Sequence, residues 1–115
     1  MRRGEVYITN LDDEDTVGRE QNGTRPSIIV QINAFNEGLD TVIVIPTTTN
    51  LKRLAINSSV LINRGEGGLD EDSVALCNQI RVIDKVRLVG DPLGMVSANT
   101  LNEIKRKLIG VLGLS

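Results

Sequence analysis

Three groups of polar side chains stand at the ends of apolar runs in this sequence. Glu20, Gln21 and Arg25 precede Ser27-Ile28-Ile29-Val30-Gln31-Ile32. Thr47, Thr48, Thr49 and Asn50 close the run that begins at Thr41, and Asn78, Gln79 and Arg81 follow Ser73-Val74-Ala75-Leu76. Their chemistry is that of handling an anion. A guanidinium is a permanently charged planar fork of five donors that matches paired anionic oxygens. With a pKa above about 12 it is a poor free base at neutral pH. A threonine adds one short, stiff hydroxyl. The sequence contains no histidine, so the common proton shuttle and the commonest metal ligand are both missing. A serine–histidine triad is excluded on the same ground, while serine–lysine arrangements stay open. Singly, each of these residues suits a cap, a turn or an exposed ladder position. They act together only if the fold gathers those strand ends.

The elements that must do so are legible as patterns. Gly4 to Thr9 alternates polar and apolar residues, as a half-buried strand does. Residues 10–24 are polar, acidic and glycine-containing and read as a long loop. Strands are expected at about 26–33 and 41–47, with Arg25 at the mouth of the first. Pro46 cannot donate to a ladder and should end its strand or sit on an edge. A connection with one helical turn follows, then strands at 58–63 and 73–80 around the glycine-rich turn 64–72, then a short strand or turn region ending at Asp91-Pro92. The one helix expected is 97–112, with Leu101, Ile104, Leu108 and Val111 on a single stripe and Ser97 or Asn99 as its cap. Several short strands plus a terminal helix suggest a small, partly open β-barrel.

Composition narrows the function classes. At 115 residues the chain is read as one domain, residues 1–115, with a single modest core. No apolar stretch approaches the roughly 20 residues that span a bilayer, and no apolar leader follows Met1, so the cytoplasm is the expected compartment. A net charge of −2 and a single tyrosine and single phenylalanine argue against broad nucleic-acid binding and against a stacking platform. Any such role needs a local basic groove. Cys77 sits in an apolar run and reads as a buried structural thiol. Gly65-Glu66-Gly67-Gly68 lacks the spacing and lysine of a phosphate loop. Asp12-Asp13-Glu14-Asp15 lacks cation-ligand spacing and reads as a solvated loop.

Ordered boxes then point to a family. "RRGEVY", "GREQNGTRPSIIVQ", "VIVIPTTTN", "DSVALCNQIRVIDKVRL" and "LNEIKRKLIGVLGL" resemble, in that order, the MazF/PemK toxins, the ribonuclease halves of bacterial toxin–antitoxin pairs. The resemblance runs from about residue 2 to residue 114 and is most specific over Gly18 to Pro26 and Asp72 to Lys85. It implies an SH3-like, partly open β-barrel with a C-terminal helix and a homodimer. It implies a sequence-specific endoribonuclease (an mRNA interferase) that cleaves single-stranded RNA without metal or other cofactor, leaving 2′,3′-cyclic phosphate and 5′-hydroxyl ends. A cognate MazE-like antitoxin is the implied partner, its acidic segment meeting Arg25 and Arg81 in the RNA groove.

Carried over position by position, the catalytic pair falls on Arg25 and Thr48. RNA-contacting positions fall on Glu20, Gln21, Thr47, Gln79 and Arg81. The run Thr47-Thr48-Thr49 leaves the register open by one residue. Arg25 would stabilise the phosphorane charge, with proton delivery to the leaving oxygen as a second role. Glu20 is the carboxylate beside the Arg-Pro motif, placed to act as base or to hold Arg25 in an ion pair. Two other readings stand beside this one. A CcdB-like toxin would bind a protein such as gyrase, but those rely on a tail tryptophan and this chain has none. A barrel used only for protein interaction is the third.

Overall fold

The computed structural model describes residues 1–12 and 23–114. Among these, β1 (Glu5–Asn10), β2 (Thr24–Ile29), β3 (Thr41–Thr48), β4 (Ser59–Ile62), β5 (Ser73–Leu76), β6 (Arg81–Asp84) and β7 (Leu88–Met95) form one antiparallel sheet that does not close. The order is β4-β5-β3-β2-β1-β7, and β6 also pairs with β3. The short helix α1 (Asn33–Gly38) and the long helix α2 (Ala98–Leu112) complete the regular structure with four 3₁₀ turns. No helix among the described residues is long and apolar enough to cross a membrane. The expected loop over 10–24 falls largely on residues 13–22, which lie outside the described residues, as do Glu20, Gln21 and most of the acidic cluster.

Most expected strands stand within a residue or two of their places, and the differences have physical causes. Pro46 is neither terminal nor on an edge. It sits where the far neighbour of β3 changes from β6, paired at Thr41 to Val44, to β5, paired at Thr47 and Thr48. Ile43 turns its carbonyl toward β2, where it accepts from Val30 N–H, so alternation points the nitrogen of Pro46 to the other side, into that gap. No ladder donor is needed there. The region expected to end at Asp91-Pro92 is two strands, and β7 runs straight through the pair. It does so because β7 is the sheet's terminal strand and its register with β1 shifts between Val6 and Ile8, a bulge that absorbs the turn-forming residues, Gly90 included at φ 68°. The strand expected to reach residue 80 stops at Leu76 and gives way to a 3₁₀ turn, Cys77–Gln79. Helix α1 was not expected. It is six residues long without a side-chain cap, and it is held by side chains: Gln31 and Asn36 bond each other at 3.1 Å, and Asn36 Nδ2 donates to the Gln31 carbonyl at 3.0 Å.

Alternation along the strands builds two cores. On one face Val6, Ile28, Ile45, Val60, Ile62 and Cys77 pack with Ile104, Leu101 and Leu108 of α2. Ser97 caps that helix by accepting from Thr100 N–H, and Gly113 ends it in the left-handed conformation. Val111, the last residue of the expected stripe, is on the exposed margin. On the other face a smaller cluster joins Leu11, Ile29, Val42, Val44 and Ile83, flanked by Tyr7 and Leu88. Burial among the first core pushes the Cys77 thiol up to about 11, as fits a structural cysteine.

Candidate active site

Arg25 is the second residue of β2, one step inside the strand rather than before it, and it lies opposite Thr9 of β1. On its other side β2 pairs with β3 through Ile29↔Val44, Ile28↔Ile45 and Ser27↔Pro46. Two further steps along the same register set Arg25 opposite Thr48. A hydrogen bond from Thr47 Oγ1 to the Pro26 carbonyl, 2.7 Å, supports that extension, because Pro26 and Thr47 are the intervening pair. Residues directly opposite in an antiparallel pair share a face and bring their Cβ atoms within about 5 Å. Arg25 and Thr48 are therefore neighbours, on the face of the smaller core.

The hydroxyls of the threonine run have different fates. Thr47 is 2% exposed and its hydroxyl donates to Pro26, so it staples β3 to β2. Thr48 Oγ1 accepts from Asn50 N–H at 3.2 Å, which fixes the oxygen while leaving its own hydrogen to donate. Thr49 is exposed, in the bend beyond the strand. Of the three, Thr48 alone combines an orienting contact, the face of Arg25 and a donor proton.

Arg81 lies opposite Val44, on the face that also carries Thr48, but four residues farther along β3, roughly 13 Å at strand rise. Gln79 is half-buried in the 3₁₀ turn that bridges the β5 and β6 pairings, alongside the Ile45-Pro46 step. Extended by two residues, the β2–β3 register thus sets Arg25 opposite Thr48, with Gln79 and Arg81 along the flank of the same strand.

Three further residues belong to this face and left no signal in the sequence. Arg87 Nη1 donates to the carbonyls of Asp12 at 2.9 Å and Asn10 at 3.3 Å. Together with Leu11 N–H to Gly23 O at 2.9 Å and Gly23 N–H to Asp12 Oδ1 at 2.6 Å, it fastens the two chain ends from which residues 13–22 depart. Tyr7 lies opposite Ser27, and its phenol is pushed up by burial and then by the charges of Glu5 and Asp91. Ser27 Oγ is buried without a hydrogen-bond partner. Contacts between residues more than 70 positions apart, as for Arg87, have no local sequence pattern. Among the described residues no three His, Cys, Asp or Glu side chains cluster as metal ligands.

An open antiparallel sheet with a C-terminal helix, and an arginine–threonine pair at its rim, define a class that the comparisons make explicit. The model of the PemK-like, MazF-like toxins of type II toxin–antitoxin systems matches residues 2–112, and the chain belongs to that family. It is 38% identical over 114 residues to the endoribonuclease MazF of Staphylococcus saprophyticus subsp. saprophyticus, covering 99% of this chain and 92% of that protein. A mycobacterial endoribonuclease, solved in complex with its cognate antitoxin, superposes with a TM-score of 0.77 at 30% identity, covering 100% of this chain and 97% of that one. MazF of Deinococcus radiodurans shares the fold, with a TM-score of 0.82 at 24% identity over 98% of this chain and 96% of that one. The CcdB-like alternative gains no support from these relatives.

Proposed function

We propose that this chain is an endoribonuclease toxin that cleaves single-stranded RNA, with Arg25 and Thr48 as its catalytic residues. The observation that supports the reading is the β2–β3 register, whose extension by two residues brings a five-donor cation opposite an oriented hydroxyl. In the reaction the 2′-oxygen of one nucleotide attacks the adjacent phosphorus. A P–O2′ bond forms, the P–O5′ bond breaks, the 2′-hydroxyl loses its proton and O5′ gains one. The products are a 2′,3′-cyclic phosphate and a 5′-hydroxyl.

Arg25 stabilises the two non-bridging oxygens as charge builds on the phosphorane, a type of contact worth about 3–4 kcal/mol. Thr48 donates to the same group or orients the 2′-hydroxyl. Arg81 and Gln79, farther along β3, fit the neighbouring backbone and bases, and Glu20 and Gln21 complete the RNA-binding set. This chemistry needs no metal and no cofactor. The protein works in the cytoplasm as a homodimer, its single domain spanning residues 1–115, and an antitoxin with an acidic segment restrains it by occupying the groove of Arg25 and Arg81.

The test is incubation of the purified protein with a mixed-sequence RNA in the presence of a chelator, followed by mass spectrometry of the product ends. Cleavage with cyclic phosphate ends is expected. Activity abolished by the chelator and restored by magnesium refutes the mechanism, and intact RNA under all conditions refutes the enzyme.

A further inference from the structure

On the other side of the rim that carries Arg25 and Thr48 lies a cleft of about 350 Å³, near the lower bound of small-molecule sites. Ile8, Pro26, Leu69 and Leu93 supply apolar walls, and Asp70 and Glu71 supply two carboxylates. Pro26 and Thr49, which also line it, are the chain neighbours of Arg25 and Thr48. Alternation turns Pro26 to the opposite face from Arg25. A group held in the cleft is thus one residue step around the rim from the arginine–threonine pair.

The backbone leading into the acidic wall is closely packed. A Cβ on Gly68 would meet the Leu93 carbonyl oxygen at 2.1 Å, and one on Gly94 would meet the Gly67 carbonyl carbon at 2.7 Å, so two backbones touch there. Gly65 N–H donates to Leu69 O at 2.8 Å and Arg64 N–H to Asp72 Oδ1 at 2.7 Å, which closes the segment on both sides. Asp70 and Glu71 themselves are exposed.

Charge decides what fits. Two exposed carboxylates repel a phosphate, so the cleft disfavours the RNA backbone. A flat base packs against the apolar walls, and an exocyclic amine donates to a carboxylate as cytosine N4 does. We propose that this cleft receives a base adjacent to the scissile phosphate and selects one that presents an exocyclic amine, rejecting uracil. The inference rests on the ribonuclease reading above and names its specificity pocket.

A single-stranded RNA pool randomised around the cut, with the products sequenced, tests it on the wild type, the double variant Asp70→Asn/Glu71→Gln, and Glu71→Lys. At one position beside the cut the wild type should disfavour uracil by about tenfold or more. The double variant should lose that preference at that position alone, and Glu71→Lys should tip it toward uracil. Replacing an adenine at that position by purine, which lacks the amine, should slow the wild type by about tenfold and needs no variant. A double-variant profile that superimposes on the wild type, or a wild type indifferent to the amine, overturns the inference and leaves the ribonuclease reading standing. A wild type that cleaves no RNA overturns both.

Discussion

Substituting valine in turn at Thr48 and Thr47 separates the chemistry of this rim from its stability. Valine keeps the β-branched shape and removes only the hydroxyl. At Thr48 the hydroxyl accepts from Asn50 N–H at 3.2 Å, and Asn50 is exposed, so water takes over the freed donor. The expected stability loss is about 0.5–1 kcal/mol, or about 2–5 °C in melting temperature. In the proposed mechanism the hydroxyl is also the donor to the phosphorane, and loss of one such donor costs about 10²–10³ in turnover. At Thr47 the order reverses. Its hydroxyl is buried and donates to the Pro26 carbonyl at 2.7 Å, so its removal costs about 1–2 kcal/mol and lowers melting by about 4–10 °C. Turnover measured well below the melting temperature should stay within about tenfold of wild type. The assay pairs initial rates on a fluorogenic single-stranded RNA with thermal melts of the same samples. Thr48→Val at full activity, with Thr47→Val inactive and normally stable, refutes the assignment and moves the catalytic hydroxyl one residue back.

Arg25→Lys should lose most activity while melting normally, since a point charge does not reproduce a bidentate fork; wild-type turnover would reduce Arg25 to a general electrostatic role. Arg87→Ala should speed hydrogen exchange at the Leu11 amide, whose bond to the Gly23 carbonyl lies beside the Arg87 contacts, and unchanged exchange would show that the contacts do not hold the β1–β2 junction. Cys77 keeps its proton in the folded protein up to about pH 11 while the unfolded thiol ionises near 9, so its contribution to stability is full below about pH 9 and falls as pH rises through 9–11. Cys77→Ala should flatten that part of the melting-temperature profile, and an identical alkaline slope in both proteins would exclude the thiol as its source.

The strands were legible because their runs are β-branched and their turns carry glycine or asparagine, signals that act within a few residues. What the sequence withheld was set by position in the sheet. Pro46 reads as a stop because it lacks a donor, and only the change of neighbour from β6 to β5 removes the need for one. Asp91-Pro92 reads as a turn, and it is one in the sense that the bulge in the terminal strand absorbs it. Helix α1 is held by Gln31–Asn36 bonds that no hydrophobic period announces. For the site, residue types pointed to Arg25 and to a threonine, and the register is what favours Thr48 over Thr47 and Thr49 in the proposed mechanism.

That choice follows from the period of two along a strand. Even-numbered residues of β3 share a face with the odd-numbered residues of β2, so each step along the rim alternates between the two cores. Pro26 and Thr47 fall on the large-core side, where the Thr47 hydroxyl closes on a carbonyl and locks the strands together. Arg25 and Thr48 fall on the small-core side, where the strand pairing that Thr47 secures holds them opposite each other. In the proposed mechanism, stability and chemistry therefore occupy adjacent residues without competing for the same hydroxyl. A shift of one residue in the β2–β3 register would set Arg25 opposite Thr47 or Thr49 and break its pairing with Thr48. The staple at Thr47 is thus what allows the pair at Arg25 and Thr48 to be preorganised, the condition under which a donor aimed at developing charge is worth most.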